Sequence, residues 1–301
     1  MSRVTRCWLF DPVPNIKDVQ EFFLPNKDFA SRQYRSWIKE FHVNTKKIDQ
    51  YTTHYQHILA ENDKNYESYE IISLPNEKNI LNDLKRTLGA IRENYNYKMA
   101  PNDTEKILFC KILRIILVMQ SDEKTRLFFR YRQTMIDLLL PIYHVVWCAL
   151  YNDDLDIIKI EAITKVAFCK FMKKSKHIYK IPGSPNFESR MSEIRNNYET
   201  KLREIAPSAV KILDNSQIDL LYFSKWYFLV FTQEFNFHIV IQIWNFLILH
   251  GMDKFNKELI KLCGKVLENL FLEFVGKSLT QKEIYSMMQD IKKVPIFTLF
   301  R

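Results

Sequence analysis

Residues 80–91, ILNDLKRTLGAI, carry the helical pattern on which the fold prediction depends. The apolar side chains of this stretch recur at intervals of four and three residues: Ile80, Leu84, Leu88 and Ile91. That spacing places them on one face of an α-helix. The stretch therefore predicts an amphipathic helix with one face packed against a core.

The same periodicity extends along most of the chain. It predicts helices over residues 28–41, 104–119 and 191–205, and the apolar run 128–151 is predicted to be central to the fold. The chain has only five glycines in 301 residues, whereas β-hairpins use glycine to reach positive φ. With 47% hydrophobic and 26% charged residues, it has the composition of a globular protein. The sequence predicts an all-α fold without a fixed-period repeat.

Proline and glycine interrupt the helical pattern most strongly over residues 181–186, which contain two prolines and one glycine. This segment is the best candidate for a linker. We therefore expect a single domain over the whole chain, made of two helical subdomains, residues 1–180 and 181–301. Near the end of the chain, Thr280 and Glu283 have the spacing of a capping box and predict the start of a helix.

The chain shows no pattern for binding a nucleotide, a metal or another cofactor. It has no glycine-rich phosphate-binding loop. His54 and His57 share an H-x-x-H spacing without a clear third ligand, so we interpret them as surface histidines and expect no metal. The cysteines are scattered and odd in number, as expected for free thiols in a reducing compartment: Cys7, Cys110, Cys148, Cys169 and Cys263. No apolar run of signal-peptide length develops before Asp11, and together these features predict a cytoplasmic protein.

The chain is basic, with a net charge of +9 from 44 basic and 35 acidic residues. This charge suits an acidic protein, an anionic membrane or nucleic acid, and it selects none of them. One cluster of lysines allows peripheral membrane contact, although a solvated helix face is the preferred interpretation: Lys170, Lys173, Lys174, Lys176 and Lys180. No pattern of aromatic and basic residues forming a groove accompanies the charge, so nucleic acid is not predicted as a partner.

Two short stretches carry residues suited to catalysis. Asp83 and Arg86 lie three residues apart on the predicted helix, so the carboxylate can hold the guanidinium. Tyr131, Gln133 and Met135 lie within the central apolar run. Taken alone, the first pair is typical of a structural ion pair, and the aromatic and apolar residues of the second stretch are typical of a core. Each stretch by itself therefore indicates little about function.

In this order, the two stretches resemble the signatures of the TBC domain family of Rab GTPase-activating proteins, I-x-x-D-x-x-R-T and Y-x-Q-G-M. The first signature is matched at every fixed position and the second at all but one: Ile80, Asp83, Arg86, Thr87, Tyr131, Gln133 and Met135. Residues 137–142 also look like the family's continuation after the second signature. Further landmarks of the family have similar counterparts at Glu161, Trp226 and Trp244. The resemblance covers most of the chain, residues 28–251.

The resemblance implies a V-shaped TBC-type helical fold that docks a GTP-bound Rab-family small GTPase and stimulates its GTP hydrolysis. Arg86 would act as an arginine finger and Gln133 as a glutamine finger that orients the attacking water. Asp83 would hold Arg86 in place, and Tyr131 would pack beneath the glutamine loop. The supporting positions implied by the signatures are Asp83, Tyr131, Thr87 and Ile80.

The same resemblance assigns GTP and Mg²⁺ to the partner GTPase. The chain would then be an activator that supplies catalytic residues in trans, and no enzyme with its own nucleotide site. A role in vesicle trafficking follows from the same comparison, with the protein in the cytoplasm or peripheral on endomembranes.

Four positions depart from the family pattern. Thr134 replaces the glycine after the glutamine and adds a β-branched side chain beside the candidate finger. Lys225 stands for the usual arginine and Asn245 for the usual aspartate. If these two positions form an ion pair in the family, both of its partners are replaced in this chain. Gln33 occupies a position where arginine is usual. The alternative function is therefore a catalytically weak or inactive TBC-fold module that binds a Rab or acts as a scaffold.

Overall fold

The structure is a computed structural model that describes residues 27–61, 80, 82–87, 103–126, 131–132, 135–150, 157–175, 187–235, 237–277, 279–289 and 291. Within these ranges the chain forms α-helices and short 3-10 helices and no β-strand, which confirms the predicted all-α class. The chain divides into two compact units, Met1–Lys173 and Lys174–Arg301. None of the helices in the described ranges is long and apolar enough to cross a membrane.

The helices described in the first unit are α1 (Lys27–Glu40), α2 (Ile48–Glu61), α3 (Asp103–Ser121), α4 (Glu123–Arg126), α5 (Met135–Leu150) and α6 (Ile157–Lys174). Residues 80 and 82–87 are also helical, and we call them the arginine segment. A 3-10 turn at Thr45–Lys47 precedes α2. The helices predicted over residues 28–41 and 104–119 correspond to α1 and α3 and are confirmed, with ends that differ by one or two residues.

Aromatic and aliphatic side chains form the core of the first unit. α1 packs against α5, and α2 packs against α3. Trp37 and Phe41 meet edge to face with their ring centres 6.1 Å apart, and Phe41 meets Phe171 of α6 at 5.7 Å. A second cluster joins α2, α3 and α6 through Tyr55, Ile58, Val118 and Ala162. These contacts bring the buried faces of separate helices into one packed interior.

α5 is buried along almost its whole length, since every residue from 135 to 148 is buried. The prediction that this apolar run is central to the fold is thus confirmed over its described part. Pro141 lies inside the helix and has no backbone N–H. The carbonyl of Asp137, four residues earlier, therefore lacks the helical donor that position 141 would otherwise supply.

An ionic network lies inside the first unit between α2, α3 and α6. Glu161 is fully buried, and its oxygens accept hydrogen bonds from Nε and Nη2 of Arg114 and from Tyr55. Arg114 Nε lies 2.6 Å from Glu161 Oε2, and Tyr55 Oη lies 3.0 Å from the same oxygen. Lys111 places its ammonium 4.5 Å from the centre of the Trp147 ring. A carboxylate as deeply buried as Glu161 is tolerated because it is paired and hydrogen-bonded.

The helices described in the second unit are α7 (Phe187–Ile205), α8 (Pro207–Asn215), α9 (Ser224–Leu229), α10 (Phe237–Leu249), α11 (Phe255–Phe271) and α12 (Gln281–Gln289). 3-10 turns lie at Leu220–Phe223 and Leu272–Phe274. α11 contacts α7, α8, α9 and α10, so it forms the centre of this unit. α7 confirms the helix predicted over residues 191–205 and begins four residues earlier.

The start of α12 confirms the predicted capping box. The backbone N–H of Thr280 donates to Glu283 Oε2 at 2.8 Å, and the backbone N–H of Glu283 donates to Thr280 Oγ1 at 3.3 Å. The two residues thus satisfy each other's free donors at the helix start.

α7 and α11 approach each other closely at Gly264. A Cβ atom at this position would lie 2.6 Å from Cγ2 of Ile205 and 2.8 Å from its Cβ. Both distances are shorter than side chains accept without movement. The missing side chain therefore allows the close contact between the two helices.

The connection between α9 and α10 contains two consecutive residues with positive φ, Val230 at 50° and Phe231 at 60°. Residues other than glycine rarely adopt this conformation, because the Cβ atom crowds the backbone. Phe231 stacks on Trp226 with their ring centres 5.7 Å apart, and Trp244 Nε1 donates to the Val230 carbonyl at 3.3 Å. Packing of two buried tryptophans therefore holds this connection in place.

Two positions that depart from the sequence pattern have defined surroundings. Lys225 Nζ lies 3.1 Å from Glu234 Oε1. The lysine therefore has a carboxylate partner, although position 245, where aspartate is usual, is an asparagine. Gln33 is buried in α1, and its amide makes no hydrogen bond among the residues the structure describes. The lysine thus keeps an ion pair, whereas the Gln33 amide has no partner within the described part of the chain.

Candidate functional site

The arginine segment turns its apolar residues inward and its guanidinium outward. Ile80 and Leu84 are completely buried, as the helical spacing predicts. Asp83 and Thr87 are also buried, with 6% and 2% of their surface exposed. The Arg86 side chain remains 39% exposed. Helical geometry therefore places the Arg86 guanidinium on the accessible side of the segment, opposite its buried face.

Two buried carboxylates hold the Arg86 guanidinium. Its Nη2 donates to Asp137 Oδ2 at 3.2 Å, and its Nε lies 3.8 Å from Asp83 Oδ1. The contact with Asp83 is the ion pair expected from the spacing of three residues. Charge-assisted contacts of this kind restrict the orientation of a guanidinium, since it is planar and its donors are fixed in direction.

Tyr131 joins the same cluster from the other stretch. Its hydroxyl donates to Asp83 Oδ2 at 2.6 Å. Burial of the ring, together with the hydrogen bond to Asp83, raises the pKa of Tyr131 well above its ordinary value. The phenol is therefore protonated at neutral pH and acts as a donor to the carboxylate. The sequence-based expectation for Tyr131 was packing, and the structure adds a polar contact to Asp83.

Asp137 belongs to the cluster, although the sequence interpretation included it only as the first residue of the stretch that continues the second signature and gave it no site role. It lies in the first turn of α5 with 3% of its surface exposed. Its Oδ1 accepts from Thr87 Oγ1 at 3.2 Å, while its Oδ2 accepts from Arg86. One signal in the sequence could have identified it: an aspartate in an apolar, buried helix requires a partner.

Gln133, the second candidate finger, and Thr134 lie outside the described residues. The residues on either side are described, and Met135 N donates to the Arg132 carbonyl at 3.1 Å. Burial lowers the pKa of Arg132 to about 10. The Nε of Arg132 has no hydrogen-bond partner within the described part of the chain.

The structure therefore brings four of the six predicted site residues into one polar cluster around two carboxylates: Asp83, Arg86, Thr87 and Tyr131. Ile80 anchors the same segment to the core. Chemically, this cluster presents an accessible guanidinium whose direction is fixed by buried acceptors. Such a group can stabilise negative charge on a molecule that docks from outside.

The two histidines noted in the sequence lie on α2, and each has a carboxylate beside it. His54 Nε2 lies 3.5 Å from Asp122 Oδ2, and His57 Nδ1 lies 3.2 Å from Glu61 Oε2. Among the described residues, no group of three or more histidine, cysteine, aspartate or glutamate side chains has an arrangement suited to a metal ion.

A comparison with protein families matches residues 32–272 to the Rab-GTPase-TBC domain. The match includes the arginine segment, the other residues of the polar cluster, Tyr131 and Asp137, and most of the second unit. The chain belongs to the TBC family. No curated protein sequence matches it significantly. Membership of the family implies a Rab-type GTPase as the general class of partner for this TBC domain.

Proposed function

We propose that this TBC domain is a GTPase-activating protein that stimulates GTP hydrolysis by a GTP-bound Rab-type small GTPase. The observation that carries the proposal is the exposed Arg86 guanidinium, held by the buried carboxylates of Asp83 and Asp137. Membership of the TBC family supports the proposed class of partner. GTP and Mg²⁺ belong to the GTPase, and the TBC domain contributes side chains only.

Arg86 acts on the phosphates in this proposal. Negative charge builds up on the phosphate oxygens as the γ-phosphoryl group separates, and an arginine supplied in trans contributes about 10³–10⁵ in rate. A guanidinium that is already oriented needs little reorganisation when this charge develops. The contacts of Arg86 with Asp83 and Asp137 are suited to that requirement.

Gln133 acts on the attacking water. A carboxamide both donates and accepts hydrogen bonds, so it can orient the water while also bonding a phosphate or backbone group. In this way Gln133 takes the place of the glutamine that the GTPase itself would use. Activity of this kind would place the protein on endomembranes that carry its Rab, with a role in vesicle trafficking.

The test is single-turnover GTP hydrolysis across a panel of Rab-type GTPases, with wild-type protein, Arg86→Ala and Gln133→Ala. We expect the wild type to stimulate at least one GTPase, and each variant to lose most of that stimulation, by about 10³-fold or more for Arg86→Ala. Arg35→Ala is the matched control, because Arg35 is an exposed arginine of α1 outside the cluster. Full stimulation by Arg86→Ala would overturn the proposed mechanism.

The second candidate is a Rab-binding scaffold without catalytic activity, and Thr134 in place of the family's glycine favours it. The same panel separates the two functions. Binding of the wild type to a GTP-loaded Rab, without faster hydrolysis by any GTPase of the panel, would establish the scaffold. A Thr134→Gly variant that gains stimulation would identify the side chain responsible.

A further inference from the structure

We propose that Asp137 is a positioning residue that holds the arginine segment against the start of α5, so that Arg86 meets a docked nucleotide in one fixed orientation. This inference rests on the proposed function. Asp137 itself would not touch the nucleotide. It would act through Arg86.

The first step of the argument is the use of both carboxylate oxygens. Oδ2 of Asp137 accepts from Arg86 Nη2 and Oδ1 accepts from Thr87 Oγ1, both at 3.2 Å. Two bonds to different oxygens fix the rotation of the carboxylate, which a single bond would not. Asp137 is only 3% exposed, so water has little access to compete for these oxygens.

The second step is the position of Asp137 in the chain. It lies four residues after Gln133 and within the first turn of α5. Its partners, Arg86 and Thr87, precede it by 51 and 50 residues. One side chain therefore connects the segment that carries the first candidate finger to the helix that directly follows the second. A shift of either segment would stretch the same pair of hydrogen bonds.

The third step concerns the edges of the guanidinium. Asp83 lies beside Nε of Arg86, and Asp137 accepts from Nη2. No described residue accepts a hydrogen bond from Nη1, although arginine has five N–H donors. The two carboxylates thus leave some N–H donors of the guanidinium available to phosphate oxygens. The Arg86 side chain is also exposed enough to contact them. Asp137 can therefore orient Arg86 during catalysis without having to release it.

The kinetic test compares Asp137→Ala, Asp137→Asn and Thr87→Val with the wild type in single-turnover hydrolysis at increasing concentrations of the TBC domain. We expect Asp137→Ala to lower the maximal stimulated rate by about 10²-fold, because small misplacement of catalytic groups has effects of that size. The concentration giving half the maximal rate should change little. Asp137→Asn and Thr87→Val should lose less, since each keeps part of the contact set.

A double variant tests whether Asp137 acts through Arg86. The loss caused by Asp137→Ala should be much smaller in the Arg86→Ala background than in the wild type, because residues that act as one unit are not additive. Equal losses in both backgrounds would overturn the inference. Glu123→Ala, at an exposed acidic residue in the first turn of α4, is the control and should leave the rate unchanged.

The last readout needs no GTPase and so separates failure of this inference from failure of the proposed function. In the free protein, the Arg86 Nε–Hε signal in a ¹⁵N NMR spectrum is identified by its loss in Arg86→Lys. We expect it to shift and to exchange faster with water in Asp137→Ala, with a smaller change in Thr87→Val. An unchanged signal in a folded Asp137→Ala protein would overturn the inference, whatever the panel of GTPases shows. If Asp137→Ala does not fold, Asp137→Asn and Thr87→Val give the same test.

Discussion

The Arg86 guanidinium is planar, and the two carboxylates contact it along one edge. This arrangement depends on the shape of the group. Asp83 and Asp137 engage Nε and Nη2, and the remaining donors point elsewhere in the same plane. The Tyr131 hydroxyl donates a hydrogen bond to Oδ2 of Asp83, the oxygen that does not face Arg86 Nε. The direction of the cation is therefore set by two buried carboxylates and the half-buried Tyr131, as well as by its own helix.

Arg86→Lys should consequently be nearly as inactive as Arg86→Ala in stimulating GTP hydrolysis. A lysine ammonium is a compact charge, and it cannot keep two carboxylate contacts while also directing donors to a phosphate. The measurement is the single-turnover rate on the most responsive GTPase of the panel. Retention of most of the stimulation by the lysine variant would show that charge alone is sufficient at position 86.

The residues of this cluster differ in how far the sequence identified them. Asp83 and Arg86 lie on one helix three residues apart, so their contact follows from local geometry. The contact of Arg86 with Asp137 spans 51 residues, and local spacing holds no information about such a distance. The sequence could indicate that Asp137 needs a partner but not which one.

At the scale of helices, periodicity predicted where the elements lie and gave less information about their ends and contacts. In the sequence, Pro207 follows the periodic stretch 191–205 and cannot continue its helix, and in the structure it is the first residue of α8. The capping box at Thr280 was predictable because both its residues are close in sequence. The close approach of α7 and α11 was not, because a single glycine inside a helical pattern has several possible causes.

Gly264→Ala should destabilise the protein despite the higher helix propensity of alanine. That propensity favours alanine by about 1 kcal/mol, whereas a side chain forced into a packed contact costs about 1–3 kcal/mol. The added Cβ would lie 2.6 Å from Ile205 Cγ2, so we expect the contact to outweigh the propensity. Chemical denaturation measures the free energy of unfolding.

Two further variants make this prediction specific. Ile205→Ala should reduce the effect of Gly264→Ala when the two are combined, because it removes the atom that the new Cβ would meet. Lys265→Ala, at the exposed neighbouring position, should change the free energy of unfolding little. A Gly264→Ala protein as stable as the wild type would show that α7 and α11 can move apart at no cost.

At the scale of the whole molecule, the stability of the first unit includes the energy of charges inside its core. The sequence of α3 is mostly apolar and contains Lys111 and Arg114 among its few charged residues. It could not supply their partner, because Glu161 lies 47 residues from Arg114 and on another helix. The network became visible only when the packing of α2, α3 and α6 was known.

Lys111 should make the free energy of unfolding depend on pH. Burial lowers the pKa of Lys111 to about 8, against an ordinary value of 10.5. Below pH 8 both the folded and unfolded states carry the proton. Between pH 8 and 10.5 the folded state loses it first, so the contribution of Lys111 to stability rises with pH, by up to about 3 kcal/mol over the full window.

The measurement is the free energy of unfolding of the wild type minus that of Lys111→Met, at pH 7, 8.5 and 9.5. Taking this difference removes the titration of other groups that the two proteins share. We expect the difference to increase in favour of the wild type as the pH rises. A difference independent of pH would show that the ammonium keeps its proton inside the fold.

Pro141 gives the start of α5 a distinct mechanical property. Because the proline supplies no N–H to the Asp137 carbonyl, the first turn of α5 is joined to the rest of the helix by one backbone hydrogen bond fewer than an ordinary helix would have. Force from a docked partner on that turn would be resisted by side chains more than by the helix itself. Point mutations of those side chains would then change the rigidity of this turn. Rigidity that comes from backbone hydrogen bonds is much less open to such change.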